Sequence, residues 1–230
     1  MNIIVLSFLS IFVSIVNSCL LNFLFPSARE CPELDWGPLQ PMKNIKPNTQ
    51  CWADNQPSFT IYTKSQQIGL EVDENLDIKS TEIANLDITK LVVIIHGYFE
   101  SSQSYEEMKN RILQSDTTTN LAVMLVDWSK GASSLIYPQS AANTRYAGLA
   151  TMKVVSQLQD KKMITDPECV GAKCGFNIHC IGHSLGAQTC GFFGNGVKTK
   201  LGNSILRLTA LDPAGPNFYT VLGFQSRKQL

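Results

Sequence analysis

A chain of 230 residues that is 44% hydrophobic and 17% charged can bury a sizeable core, and its composition excludes disordered and fibrous classes. Its 19 basic residues are matched by 19 acidic ones, so no broad electrostatic field points to nucleic acid as a partner. Net charge does not exclude lipid, because binding to a bilayer or droplet can rest on apolar surface alone.

The chain opens on an apolar stretch, Ile3 to Val16, followed by Val16-Asn17-Ser18. The stretch is short for a membrane span, and Val16 and Ser18 suit positions −3 and −1 of a cleavage site. Residues 1–18 therefore read as a signal peptide, with the α-amino group as the only charge of its n-region. A secreted, extracellular protein is expected, and no later segment is long and apolar enough to span a bilayer. Residues 19–57, rich in Pro, Cys and Asn, read as a leader packed on the domain that follows at 58–230.

Seven cysteines in an exported chain suggest disulfides, with at least one cysteine unpaired or paired elsewhere. Cys169 and Cys174 bracket a short loop and are expected to pair. Cys31 and Cys51 could pair with each other or with Cys19. Cys180 sits in an apolar run and Cys190 in a Gly-rich helix, so both are expected as buried thiols packed as small hydrophobes. No cysteine spacing fits a zinc site.

Phe59 to Thr63 alternates and predicts a first strand, and residues 64–90 suggest a hairpin and a loop. Leu91 to Ile95 is a continuous apolar run, the mark of a strand buried on both faces. Ser104 to Gln114 predicts a helix, with Ser104 and Glu107 as a capping box. Leu121 to Val126 predicts a second buried strand. Ala141 to Leu158 predicts a long helix with apolar positions 149, 152, 155 and 158 on one face. Asn177 to Ile181 predicts a third buried strand, Leu185 to Phe193 a helix, and Ile205 to Leu211 a fourth. Strands alternating with helices imply parallel βαβ units. The fold class is α/β, a largely parallel sheet with helices on both faces.

The sharpest local signal is Gly182-His183-Ser184-Leu185-Gly186, between a predicted strand and a predicted helix. A serine hydroxyl needs exposure and a base to become a nucleophile. The strand-to-helix turn supplies the exposure, and the helix N-terminus aims backbone N–H groups at a developing oxyanion. Ser184 is thus the candidate nucleophile and Leu185 N–H one oxyanion donor. His96-Gly97-Tyr98 follows a buried strand where this fold builds the other half of its oxyanion hole, which makes Tyr98 N–H the second donor. Asp212 ends a strand that follows the nucleophile, the expected place of the triad acid. Asp127 ends a strand that precedes it and is expected to pair structurally or to cap the loop at Ser129.

The base is the gap. His96, His179 and His183 are the three histidines, and all precede Asp212, whereas the order Ser, acid, His puts the base after it. His183 should point away from the hydroxyl beside it, His179 lies inside a strand, and His96 belongs to the oxyanion turn. The triad is not expected to close within residues 1–230.

With these motifs in register, the chain resembles the pancreatic-lipase-like secreted lipases and phospholipases A1 over about residues 55–217. The resemblance rests on VVIIHGY at 92–98, Val126-Asp127-Trp128, the helix from Ala141, IGHSLGA at 181–187 and LDPAGP at 211–216. It implies an α/β-hydrolase fold, incomplete at the C-terminus, with Ser184 as nucleophile, Asp212 as acid, and Tyr98 and Leu185 as oxyanion donors. It also implies a histidine and a surface lid beyond the acid, and hydrolysis of acylglycerol or phospholipid esters at a membrane or droplet surface. Gln188 and Cys190 depart from the residues common in that family. Arg227 approximates a family calcium-site arginine without the carboxylates that should follow it, so no metal and no cofactor are expected. The alternative function is a non-catalytic lipid-binding or storage protein on the same fold, since fold does not guarantee activity. A 230-residue product in its own right would lack the base and be nearly inactive.

Overall fold

The computed structural model describes residues 56–72, 76–81, 83, 86–118, 120–161, 163–164, 176–215 and 218. The expected signal peptide, most of the leader, and the Cys31, Cys51, Cys169 and Cys174 pairings lie outside them.

β1 (Ser58–Tyr62), the expected first strand, turns back into β2 (Gln67–Leu70), so the hairpin begins with β1 rather than lying within residues 64–90. β3 (Lys90–Ile95) and β4 (Leu121–Asp127) are the two β-branched and aliphatic runs. β5 (Phe176–His183) and β6 (Ile205–Leu211) complete one six-stranded sheet of order β2-β1-β4-β3-β5-β6. β3 pairs in parallel with both β4 and β5, and β5 with β6, whereas β1 runs antiparallel to β2 and β4. Val93 sits opposite both Met124 and Cys180. The parallel centre needs covering on both faces, and alternation along β3 sorts its side chains to do so. Val92 and Ile94 join Leu121, Val123, Leu125 and Tyr105 under one layer, and Leu91, Val93 and Ile95 join the larger core on the other side.

The first layer is α1 (Glu106–Ser115), entered through a 3₁₀ turn at Ser102–Tyr105. The helix begins later than its sequence pattern suggests, and the capping box does not form. Tyr105 is the N-cap and makes no side-chain cap bond, while Glu107 instead accepts a hydrogen bond from Arg111 Nε at 2.7 Å. An exposed i,i+4 pair of this kind competes directly for the glutamate that a capping box would use.

The second layer consists of α3 (Tyr137–Asp160) and α4 (Leu185–Leu201), with a single turn, α2 (Ser129–Ala132), between β4 and α3. α3 starts a turn earlier than expected because Pro138, with its fixed φ, suits the first helical turn. It is buried well beyond the face marked by Leu149, Met152, Val155 and Leu158, because α4 crosses it closely. A Cβ on Gly148 would lie 2.7 Å from Phe192 Cβ and 2.8 Å from Thr189 O. α4 runs two turns past Phe193, through Gly194 and Gly196, to a left-handed Gly202 that caps it. Packing of Gly196 against Met152 offsets the poor helix propensity of glycine there.

Cys180 and Cys190 are not free thiols. They form a disulfide with Cα atoms 5.9 Å apart, fully buried between β5 and α4. Expecting thiols from apolar surroundings overlooks the antiparallel return of helix against strand. Four strand residues below Ser184 and six helix residues below it span about 13 Å and about 9 Å, so both side chains reach a similar depth.

Candidate active site

Ser184 occupies the turn between β5 and α4 with φ 52° and ψ −118°. A non-glycine residue at such a φ is strained, and strain of this kind persists only where the surroundings over-determine it. Backbone bonds do so here. Ser184 N–H donates to Leu211 O at 3.0 Å, and Ser184 O accepts from Ala187 N–H and Ala214 N–H, each at 3.1 Å. The strand and helix meet at atomic contact beneath it. A Cβ on Gly182 would lie 2.2 Å from Gly186 O, and a Cβ on Gly186 would lie 2.1 Å from Ile95 O. At the two positions that bracket the serine, glycine is thus the only residue type that fits.

The turn after β3 presses on this elbow from the side. A Cβ on Gly97 would meet Ser184 Cβ at 2.9 Å and His183 O at 3.1 Å. Both peptide units around Gly97 are pinned. Trp128 Nε1–H donates to His96 O at 2.8 Å, and Gly97 N–H donates to Glu100 Oε2 at 2.7 Å. His96 Nδ1–H donates to Gly97 O at 3.0 Å. A trans peptide points its N–H opposite to its C=O, so the bond to Gly97 O also fixes the direction of Tyr98 N–H. The Tyr98 ring is anchored too, through its hydroxyl to Ser134 O at 2.8 Å and edge-on against Tyr137. Leu185, fully buried, opens α4 and follows Ser184 directly.

Asp212 follows β6 with φ 42°, exposed, between the two residues whose backbones hold Ser184. Gln188, on the first turn of α4, donates from Nε2 to Ala214 O at 2.8 Å and ties the helix to the same turn. The Ser184 elbow, the Gly97 turn and the Asp212 turn thus converge at one end of the parallel strands.

Asp127 is held structurally. Its Oδ2 accepts from Ser102 N–H at 3.0 Å and Ser102 Oγ at 2.9 Å, and its Oδ1 accepts from Ser129 N–H at 3.0 Å. Burial pushes this carboxyl up, yet the hydrogen bonds from Ser102 and Ser129 outweigh it and hold it far below the usual range. Each histidine has its own partner. His96 Nε2 accepts Trp128 N–H at 3.0 Å, His179 Nε2 meets Thr209 Oγ1 at 2.8 Å, and His183 Nδ1 lies 2.9 Å from Glu100 Oε1.

Two features escape sequence reasoning. Glu100 gives no signal there because its partners Tyr105 and His183 are distant in sequence or irregular in spacing. The second is an apolar rim beside Tyr98. Phe99 is 55% exposed and Leu135 85%, with Ile136 next to it, and the Tyr98–Ser134 bond joins the two loops. Clustering of apolar residues around Tyr98 in two separate loops becomes visible only once β3 and β4 are paired.

Residues 28–223 match the family described as Lipase. Lipase member H of Rattus norvegicus is 33% identical over 69% of this chain and 31% of its own length. Phospholipase A1 of Polybia paulista is 33% identical over 70% of this chain and 49% of its own. The chain spans about half the length, or less, of the curated relatives it matches. Among solved structures, MenH from S. aureus covers 66% of this chain and 41% of its own at 17% identity, with a TM-score of 0.36.

Proposed function

This chain belongs to the lipase family, and from that premise we propose that it is a secreted serine esterase acting on the acyl ester bonds of lipids, triacylglycerols or phospholipids. The observation that carries the proposal is the strained Ser184 at φ 52°, in contact with the pinned turn at Gly97. Strain held by so many bonds serves to present a side chain. Relatives named as lipase and phospholipase A1 support lipid esters as the substrate class. The rim of Phe99, Leu135 and Ile136 supports a lipid surface as the place where substrate is met.

In this mechanism Ser184 Oγ attacks the ester carbonyl carbon and gives its proton to a histidine base. The carbonyl oxygen becomes an oxyanion, accepting hydrogen bonds from Tyr98 N–H and Leu185 N–H at the positive end of α4. Collapse expels the alcohol, which takes the proton from the histidine, and leaves an acyl-Ser184. Water then repeats the sequence and releases the fatty acid. Asp212 orients the base and stabilises its imidazolium. Because His96, His179 and His183 are engaged elsewhere, the base is assigned to sequence outside residues 1–230. The buried disulfide supports export, since such bonds persist in oxidising compartments.

The test is a Ser184→Ala variant of the natural full-length protein. Hydrolysis of emulsified lipid should be abolished and a fluorophosphonate should label only the parent protein, at Ser184. Unchanged hydrolysis by the variant would overturn the reading. Lipid binding without any hydrolysis by the parent would favour a binding protein on the same fold.

A further inference from the structure

Glu100 is half-buried where the turn after β3 meets the turn after β5. Its Oε2 accepts Gly97 N–H at 2.7 Å and the Tyr105 hydroxyl at 2.7 Å, and its Oε1 lies 2.9 Å from His183 Nδ1. Gly97 precedes one proposed oxyanion donor, Tyr98, and His183 precedes the proposed nucleophile, Ser184. Tyr105 roots the carboxylate in the core under α1. Burial pushes the Glu100 carboxyl up, but hydrogen bonds from Tyr105, Gly97 and His183 outweigh it and leave it below its usual range. The ionised form is therefore the one that this arrangement holds. Two carboxylate oxygens accepting three donors make a bridge that a neutral side chain of this length cannot fully reproduce.

We propose that Glu100 is a positioning residue that clamps the oxyanion turn to the nucleophile elbow through Gly97 N–H and His183 Nδ1–H. The proposal rests on Ser184 being the nucleophile. Gly97 has no side chain to hold its place, and Phe99, two residues on, carries a positive φ of 53°, so the turn relies on bonds from outside itself. Without the clamp, the turn shifts against the Ser184 elbow and carries the Tyr98 N–H, which His96 orients within the turn, away from the position where the oxyanion forms, while the surfaces that bind substrate stay as they were. Misplacement of this kind costs rate rather than binding.

Three variants of the natural full-length protein test this: Glu100→Ala, Glu100→Gln and Ser184→Ala, assayed with a soluble p-nitrophenyl ester and a fluorophosphonate. Glu100→Ala should lower kcat by about 10- to 100-fold and leave KM within about threefold of the parent. Glu100→Gln, which keeps one acceptor oxygen, should recover part of that loss. Fluorophosphonate labelling of Glu100→Ala should slow in parallel but still reach the parent's end-point per chain, which separates misplaced donors from unfolded protein. Parent-like kcat in Glu100→Ala, with Ser184→Ala inactive, would overturn the clamp and leave the serine reading intact. Equal losses in kcat and labelling end-point, with no recovery in Glu100→Gln, would make Glu100 merely structural and also overturn it. A parent protein that neither hydrolyses nor labels would remove the serine reading, and the clamp with it.

Discussion

The two sides of the site are built differently. The Ser184 elbow and the Gly97 turn hang from β5 and β3, strands paired on both sides, and the parts that hold them are buried: His96, Trp128, Leu185 and the Cys180–Cys190 bridge. Asp212 hangs from β6, the last strand of the sheet among the described residues, whose seven residues are all at least partly exposed there and whose Leu206 is 70% exposed. On the inner side, position is enforced by atoms that cannot move without disturbing the core. On the outer side it depends on pairing with β5, two backbone bonds to Ser184 and the Gln188 amide. In the proposed mechanism the fixed dipoles that meet developing charge lie inside, where preorganisation is strongest. The proposed acid lies on a turn held mainly by backbone bonds, where a change of side-chain charge costs the fold little. Stability and activity should therefore separate on the β6 side and move together on the β5 side.

Asp212→Asn should give the sharpest separation. Removing the acid's charge should lower kcat by about 10³- to 10⁴-fold, the cost of losing the group that orients the base. Asn tolerates the left-handed φ as well as Asp does and is nearly isosteric with it, and backbone bonds hold the turn, so urea unfolding should shift by no more than about 0.5 kcal/mol. A large loss of stability would erase the contrast between the two sides. Gly186→Ala probes the opposite corner. Its added methyl would sit 2.1 Å from Ile95 O and 2.5 Å from His96 O, both backbone atoms. A cost of about 3 kcal/mol or more is expected in urea unfolding, with activity lost alongside it. A well-folded, inactive Gly186→Ala would show that the elbow can shift without the core.

The central strands are legible in the sequence because they are buried on both faces, which leaves uninterrupted runs at Leu91 to Ile95 and Leu121 to Val126. The elbow is legible for a related reason, since two glycines at fixed offsets from a serine answer a steric demand that any sequence for this turn must meet. What stays hidden depends on tertiary meeting. Glu100 finds His183 across 83 residues, and Asp127 finds Ser102 across 25. Neither separation has a period to read. Glu107 looks like half of a capping box and goes to Arg111 instead, a choice settled by competition between two local bonds. The length of α4 is underestimated because glycine lowers helix propensity, whereas here Gly194 and Gly196 face Ile205 and Met152. Gln188 and Cys190 stand out in the sequence only as departures from a family pattern. In the fold, Gln188 reaches the turn that carries Asp212, and Cys190 bonds α4 to β5.

Gln188→Ala makes the smallest change and bears most directly on how the outer side is held. Its amide makes a neutral hydrogen bond to Ala214 O, and such bonds contribute about 1 kcal/mol net. Removing it should lower stability by about that amount and kcat by roughly threefold to tenfold, because the backbone bonds of Ser184 N–H to Leu211 O and of Ala214 N–H to Ser184 O remain. The change should also be local. Amide hydrogen exchange should quicken at Ala214 and leave Ile94 and Val126 in the central strands as protected as before. Exchange that quickened throughout α4 would mean that Gln188 supports the helix rather than the acid turn. An unchanged rate at Ala214 would mean that pairing with β5 alone holds Asp212 in place, and that β6 is more rigid than its exposure among the described residues implies.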